Sequence, residues 1–167
     1  INVTIIPRTL NVSLSREYDG TTSVSGSSLT PTFDSLQGGE TLALSGTGSV
    51  STANVGSSKA VSLGSIALAA GSGNPSNYTL NSATMNITQR VINLDGIRAY
   101  DATTNVLSSD INTFGNIISG ETLTISGTGS VGTNSVAMNK AITIGSLSLG
   151  NGSGLASNYS LTGGTPT

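Results

Sequence analysis

The sequence predicts an all-β protein built from two tandem copies of one small domain, and three observations predict it. Val, Ile and Leu alternate with polar residues in short runs such as Leu10, Val12 and Leu14, the period-2 pattern of a half-buried strand. No stretch carries the 3.6-residue apolar period of an amphipathic helix. The chain also copies itself. Arg16-Glu17-Tyr18-Asp19-Gly20-Thr21-Thr22 returns 82 residues later as Arg98-Ala99-Tyr100-Asp101-Ala102-Thr103-Thr104, and Ser76-Asn77-Tyr78 returns 81 residues later as Ser157-Asn158-Tyr159. Between them Gly39-Glu40-Thr41-Leu42 returns as Gly120-Glu121-Thr122-Leu123, and Lys59-Ala60 as Lys140-Ala141. A repeat of this length is a small domain, not a coil of a solenoid.

Taken in order, residues 1–7 alternate like a strand, with Ile1, Val3 and Ile5 on one side and Ile6 beside Pro7. They match the run 83–89 that closes the first copy, so they read as the last strand of a preceding repeat. Repeat one spans 8–89. Its expected strands carry Leu10, Val12 and Leu14, then Leu42 and Leu44, then Val61 and Leu63, then Ile66 and Leu68. The apolar parity changes across Gly64-Ser65, which predicts a bulge or bend there. Tyr78 to Leu80 and Thr84 to Thr88 close the domain. Repeat two spans 90–167 and follows the same plan, but it stops at Gly163-Gly164-Thr165-Pro166-Thr167, before its last strand. At the joint, Gln89, Arg90 and Val91 carry one repeat's last strand into the next repeat's first strand with no Gly, Ser or Pro linker, which predicts a stiff, rod-like array. An immunoglobulin-like β-sandwich is the first choice of subtype, a β-grasp-like sheet the second, and a β-helix the third.

Composition narrows the function. Of 167 residues, 51 are Ser or Thr and 22 are Gly, only 8% are charged and 4% are aromatic, and the net charge is −2. Low net charge and alternating β-branched residues argue for a folded chain with thin cores, not disorder. Six basic residues scattered singly give no nucleic-acid patch. No apolar run is long enough to span a membrane as a helix, and no signal-peptide pattern stands at the start. The chain begins inside a strand-like run and reads as a piece of a longer protein. It has no Cys and no His, which removes disulfides, the usual zinc ligands and the usual general base. Eight carboxylates spread singly form no calcium loop, so no metal or other cofactor is expected. Six Asn-x-Ser/Thr triplets are close to the about four to five that chance gives at this composition, so they carry no glycosylation signal.

The Tyr-Asp-Gly-Thr-Thr stretch reads as a strand end with a tight turn, Asp19 and Asp101 accepting the backbone N–H two residues on. Because Ala102 replaces Gly20 in the second copy, no left-handed residue is expected at that place. Tyr18 and Tyr100 are expected to fill the thin cores while their hydroxyls reach polar partners.

This ordered set, Tyr18-Asp19-Gly20-Thr21-Thr22, Gly39-Glu40-Thr41-Leu42, Leu44-Ser45-Gly46-Thr47-Gly48, Asn54-Val55-Gly56, Lys59 and Asn77-Tyr78, resembles the YDG-type repeat of bacterial surface adhesins similar to filamentous haemagglutinins. The second copy departs at Ala102 and at Ser135-Val136-Ala137 but keeps Asn158 and Tyr159. The resemblance implies an extracellular stalk module at a bacterial cell surface, repeated in tandem and without enzymatic activity. In some adhesin domains a Lys–Asn isopeptide bond, promoted by a carboxylate, replaces disulfides. Lys59, Asn77 and Glu40, and again Lys140, Asn158 and Glu121, supply the residue types; the plainer reading puts Lys59 at a strand edge, has Asn77 capping a turn, and leaves Glu40 in solvent.

Three functions follow as expectations. The first is a structural stalk whose partners are the neighbouring repeats of the same protein. The second is an adhesive module in which a loop such as 29–37 contacts a glycan or matrix ligand. The third is head-to-tail assembly, with Ile1, Val3, Ile5 and Ile6 completing the open sheet of another copy.

Overall fold

The computed structural model of the chain describes residues 1–161. It divides into two compact units, 1–88 and 89–167, and the expected absence of the second repeat's last strand falls on 162–167, outside the described residues. Unit 1 contains β1 (Arg8–Glu17), β2 (Ser23–Ser25), β3 (Thr32–Phe33), β4 (Leu42–Ser45), β5 (Thr47–Val50), β6 (Gly56–Ser62), β7 (Ala67–Ala70) and β8 (Tyr78–Thr88). Unit 2 contains β9 (Arg90–Gly96), β10 (Asn105–Leu107), β11 (Ile111–Gly115), β12 (Leu123–Ser126), β13 (Thr128–Val131), β14 (Ile142–Thr143), β15 (Ser148–Asn151) and β16 (Tyr159–Leu161). Short 3-10 turns are the helical elements among the described residues, so the protein is all-β.

Unit 1 is organised on a six-stranded mixed sheet of order β2-β5-β6-β8-β1-β3. Its first and last strands, β1 and β8, lie parallel at the centre, from Arg8 opposite Tyr78 to Glu17 opposite Thr88. β3 pairs antiparallel to β1 on one side and β6 antiparallel to β8 on the other. An immunoglobulin sandwich has two antiparallel sheets; a central parallel pair of first and last strands departs from that plan. Asn81 is the extra residue of a bulge between Leu10 and Asn11, and its amide and the Ser82 hydroxyl both donate to Asn11 Oδ1 at 2.9 and 2.7 Å. That bulge switches the buried parity of β8 from Tyr78 to Ala83, Met85 and Ile87.

The core lies between this sheet and the antiparallel ribbon β4–β7. Leu10, Leu42 and Tyr78 form its centre, with Phe33, Leu36 and Leu68 packed around them. The chain turns from β6 towards β7 at Gly64-Ser65, where Ser65 N–H donates to Thr47 O at 2.8 Å and Gly64 holds φ +54°. The parity change in the sequence is therefore a corner at which the chain leaves the large sheet for the ribbon.

Unit 2 repeats the ribbon as β12–β15, but the large sheet is divided. β10-β13-β14 and β11-β9-β16 are separate three-stranded sheets among the described residues. In unit 1 the strand joining the matching halves is the C-terminal part of β8. Residues 1–7, expected to be strand-like, belong to no sheet and are exposed throughout.

Candidate functional site

The repeated motif builds a corner held by an arginine. In unit 1 the Asp19 carboxylate accepts the Thr21 N–H at 2.9 Å, as expected of an Asp at the start of a turn. Arg16, three residues earlier on the end of β1, pairs with Asp19 Oδ2 at 2.9 Å and donates to Thr21 O and to Ser23 O. Unit 2 repeats the set: Arg98 meets Asp101 at 2.6 Å and Thr103 O at 2.6 Å, and Asp101 accepts Thr103 N–H at 2.9 Å. The Thr103 N–H, ahead of the Arg98 charge, holds the Asp101 carboxyl below its ordinary value.

At this corner the expectation from Ala102 is overturned. Gly20 has φ +75° and Ala102 φ +63°, so both copies hold a left-handed residue. The arginine and the Asp fix the backbone on both sides, and the second copy carries the steric cost of a Cβ there. Tyr100 is the second correction. Tyr18 is buried, as expected, and its N–H donates to Thr88 O at 2.9 Å; Tyr100 is exposed.

A second constellation joins the repeated Glu and Tyr. Tyr78 OH donates to the Glu40 carboxylate and accepts the Gln37 N–H at 3.3 Å. Tyr159 OH donates to Glu121 Oε2 at 2.7 Å and accepts the Ile118 N–H at 3.2 Å. Glu40 is thus half-buried and bonded, not a solvent residue after a turn. The carboxylate raises the Tyr78 phenol above its ordinary value, and the Gln37 N–H pulls the other way. The signal for this pair was present in the sequence, since Glu and Tyr recur together, as Arg16 and Arg98 recur with their Asp.

The isopeptide arrangement is not assembled. Lys59 Nζ donates to Thr52 Oγ1 and Asn54 O, both at 2.8 Å, and Lys140 Nζ donates to Thr133. Lys59 stands opposite Met85, whereas Asn77 precedes Tyr78 at the other end of β8, roughly 25 Å away along the strand. Asn77 is the last residue of a 3-10 turn, and the side chain that caps this turn is Asn74, accepting Ser76 N–H at 3.0 Å. Its counterpart Asn158 is buried.

The joint residues tie into unit 2. Gln89 Nε2 donates to Ser157 O at 3.2 Å, Arg90 bonds Asn116 through its backbone and side-chain oxygens at 2.7 and 2.6 Å, and Asn116 Nδ2 donates to Val91 O at 2.8 Å. Among the described residues no cluster of three metal-ligating side chains forms, and no helix is long and apolar enough to cross a membrane. Beside Tyr100, a groove of about 590 Å³ runs between Gly96, Ile97, Val136, Met138 and Lys140.

Fold and motif together define an all-β tandem-repeat protein whose shared residues hold the corners of each copy. The YDG domain profile matches residues 3–85 and again 86–167, and the chain belongs to the YDG-domain family. The matched copies begin a few residues before the starts at 8 and 90 drawn from the sequence. No curated protein and no solved structure matches the chain at a significant level.

Proposed function

We propose that the chain is a non-enzymatic, load-bearing stalk module of a large bacterial extracellular adhesin, projecting a binding region from the cell surface. The observation that supports this most is the parallel ladder of β1 and β8. A repeat is entered at Arg8, the start of β1, and left at Thr88, the end of β8. Tension along the chain therefore pulls two adjacent parallel strands past each other. It loads their ladder in shear, so that the bonds share the force instead of parting one at a time. The one-residue step at Gln89 passes tension directly into β9. The loop 29–37 does not favour the ligand-binding reading: Phe33 and Leu36 pack on the core, and Asp34 is pinned by the Asn11 N–H and side-chain amide at 3.0 and 2.8 Å.

Single-molecule pulling tests the proposal. Unit 1 stretched through its two ends is expected to resist considerably more force than unit 1 stretched through cysteines at Thr9 and Thr79, neighbours across the ladder, where the strands unzip from one end. Equal forces in the two geometries would remove the mechanical argument for a stalk.

A further inference from the structure

The two repeats build the same 3-10 turn ahead of β8 and β16, and they cap it from different residues. In unit 1 Asn74 Oδ1 accepts the Ser76 N–H at 3.0 Å, and Pro75, the first residue of the turn, has no N–H to satisfy. By the offset of 81, Leu155 and Ala156 stand at the places of Asn74 and Pro75. Leu155 has no capping oxygen, and Ala156 brings an N–H that Pro75 lacks. The acceptor comes instead from Asn151, the last residue of β15, whose Oδ1 takes the Ala156 N–H at 2.8 Å. Its counterpart in unit 1 is Ala70.

Asn151 is followed by Gly152, and no other Asn of the sequence precedes a glycine. Gly152 is held for a separate reason. A Cβ there would stand 2.4 Å from the Thr122 carbonyl oxygen, as one on Gly71 would stand 2.3 Å from that of Thr41. The Asn is thus placed by its carboxamide oxygen and the glycine by its missing Cβ. Residues 151–153 are exposed and Gly154 is buried; 70–72 and Gly73 show the same pattern in unit 1, where the closing strand β8 is in place. The exposure of Asn151 is therefore a property of this corner of the repeat.

We propose that Asn151-Gly152 is a site of spontaneous main-chain modification, at which Asn151 is converted to isoaspartate and aspartate. The Gly152 nitrogen attacks Asn151 Cγ. An N–C bond forms, the Cγ–Nδ2 bond breaks, and the proton of the Gly152 nitrogen leaves with the amide as ammonia. Water then opens the cyclic imide. Opening at the main-chain carbonyl of Asn151 gives isoaspartate, whose Cβ and Cγ lie in the main chain; opening at the former side-chain carbonyl gives aspartate. Three features of the corner favour the first step. Glycine leaves the attacking nitrogen unhindered. The Ala156 N–H already sits on the oxygen that becomes negative during attack, and so acts as its oxyanion donor. Asn151 is opposite Leu123 at the very end of the β12–β15 ladder, so the rotation that brings nitrogen to carbon opens one terminal pair only. Unit 1, with Ala70 before Gly71, has no such site at this place. Isoaspartate lengthens the main chain and carries the capping oxygen away from Ala156, loosening the turn that leads into Tyr159.

The test incubates the 167-residue chain at neutral pH, folded and in urea, and follows the tryptic peptide 141–167 by mass spectrometry. Replacement of NH2 by OH is read from its mass, and fragmentation separates isoaspartate from aspartate. Asn151 is expected to react in the folded chain at least as fast as in urea, while Asn158 in the same peptide stays intact. Ala156→Pro installs the residue of unit 1 and removes the donor. It is expected to slow the folded reaction about tenfold, the effect of one hydrogen bond to a charged group, and to leave the reaction in urea unchanged. Leu155→Asn with Ala156→Pro copies the whole unit 1 turn and is expected to show the same slowing. Hydrogen exchange is expected to find the Ala156 amide unprotected in the isoaspartate product and still protected in Asn151→Asp, which changes charge without lengthening the chain. Slower reaction in the folded chain than in urea, or a rate indifferent to loss of the Ala156 N–H in both variants, would overturn the proposal. It does not depend on the stalk reading, which is tested on unit 1 alone.

Discussion

Tyr18 and Tyr100 occupy the same position in two copies of one motif, yet Tyr18 is 4% exposed and Tyr100 is 64% exposed. The tyrosines follow the same arginine-clasped strand end; among the described residues a strand is laid across Tyr18 and none across Tyr100. In unit 1 the end of β8 reaches Tyr18, and Thr88 O accepts its N–H. Tyr18→Ala is therefore expected to destabilise unit 1 by about 3 kcal/mol, as loss of a buried aromatic side chain does. Tyr100→Ala is expected to change unit 2 by no more than about 0.5 kcal/mol. Urea denaturation of the two variants checks the contrast, and equal losses would contradict it.

Ala102 offers an inexpensive gain in stability. Its φ of +63° costs an L-residue with a Cβ about 1–2 kcal/mol that glycine does not incur. Ala102→Gly is expected to stabilise unit 2 by about 1 kcal/mol, and Gly20→Ala to destabilise unit 1 by a similar amount. Thermal unfolding followed by circular dichroism separates these from a neutral exchange.

Two glycines distinguish conformational from steric cost. Gly38 has φ +59° with open space around a built Cβ, so Gly38→Ala is expected to cost about 1 kcal/mol. Gly46 has φ +78°, and a Cβ there would land on the Ser65 carbonyl. Gly46→Ala is expected to cost about 3 kcal/mol or more, since strain and overlap add. Gly127 meets the Ser146 carbonyl in the same way, so Gly127→Ala should match it in unit 2. Chemical denaturation of the three variants orders them.

Stability is expected to depend on pH at both ends of the range. The Asn11 N–H foremost, with the Asn11 side-chain amide, holds the Asp34 carboxyl low, and the Thr103 N–H does the same for Asp101. A depressed carboxyl stabilises the fold above the unfolded Asp pKa of about 3.9, and that contribution is lost as pH falls through the lower folded value. Asp34→Asn should therefore flatten the acid limb of unit 1. Tyr78 is raised by its bond to Glu40, so its contribution is complete below the unfolded Tyr pKa of about 10 and is lost as pH rises through the folded value. Ultraviolet titration of tyrosinate should show a late-ionising tyrosine that moves earlier in Glu40→Gln.

Much of the fold was legible because alternation reports which face of a strand is buried. Leu10, Val12 and Leu14, and Leu42 and Leu44, are buried as their spacing requires. Pairing was not legible. The parallel union of β1 with β8 joins residues 70 apart in sequence, and no local pattern encodes a partner that far away. The corner is half legible: Asp19 follows from turn chemistry, but the left-handed backbone at Ala102 does not, because the Arg98 clasp outweighs the local Cβ penalty. Glu40 is illegible for a related reason, since a Glu after two glycines looks solvated until Tyr78 is folded over it.

The central place of β8 also sets the order in which a growing chain can fold. As residues emerge from the N-terminus, β1 is made early and then waits about 70 residues for its parallel neighbour, with β6 on the far side of the same position. Until Thr88 has been synthesised, the large sheet of unit 1 lacks the strand that joins its halves. Unit 1 is then a late-closing module: local hairpins can form during synthesis, but its large sheet closes only with the arrival of its last strand.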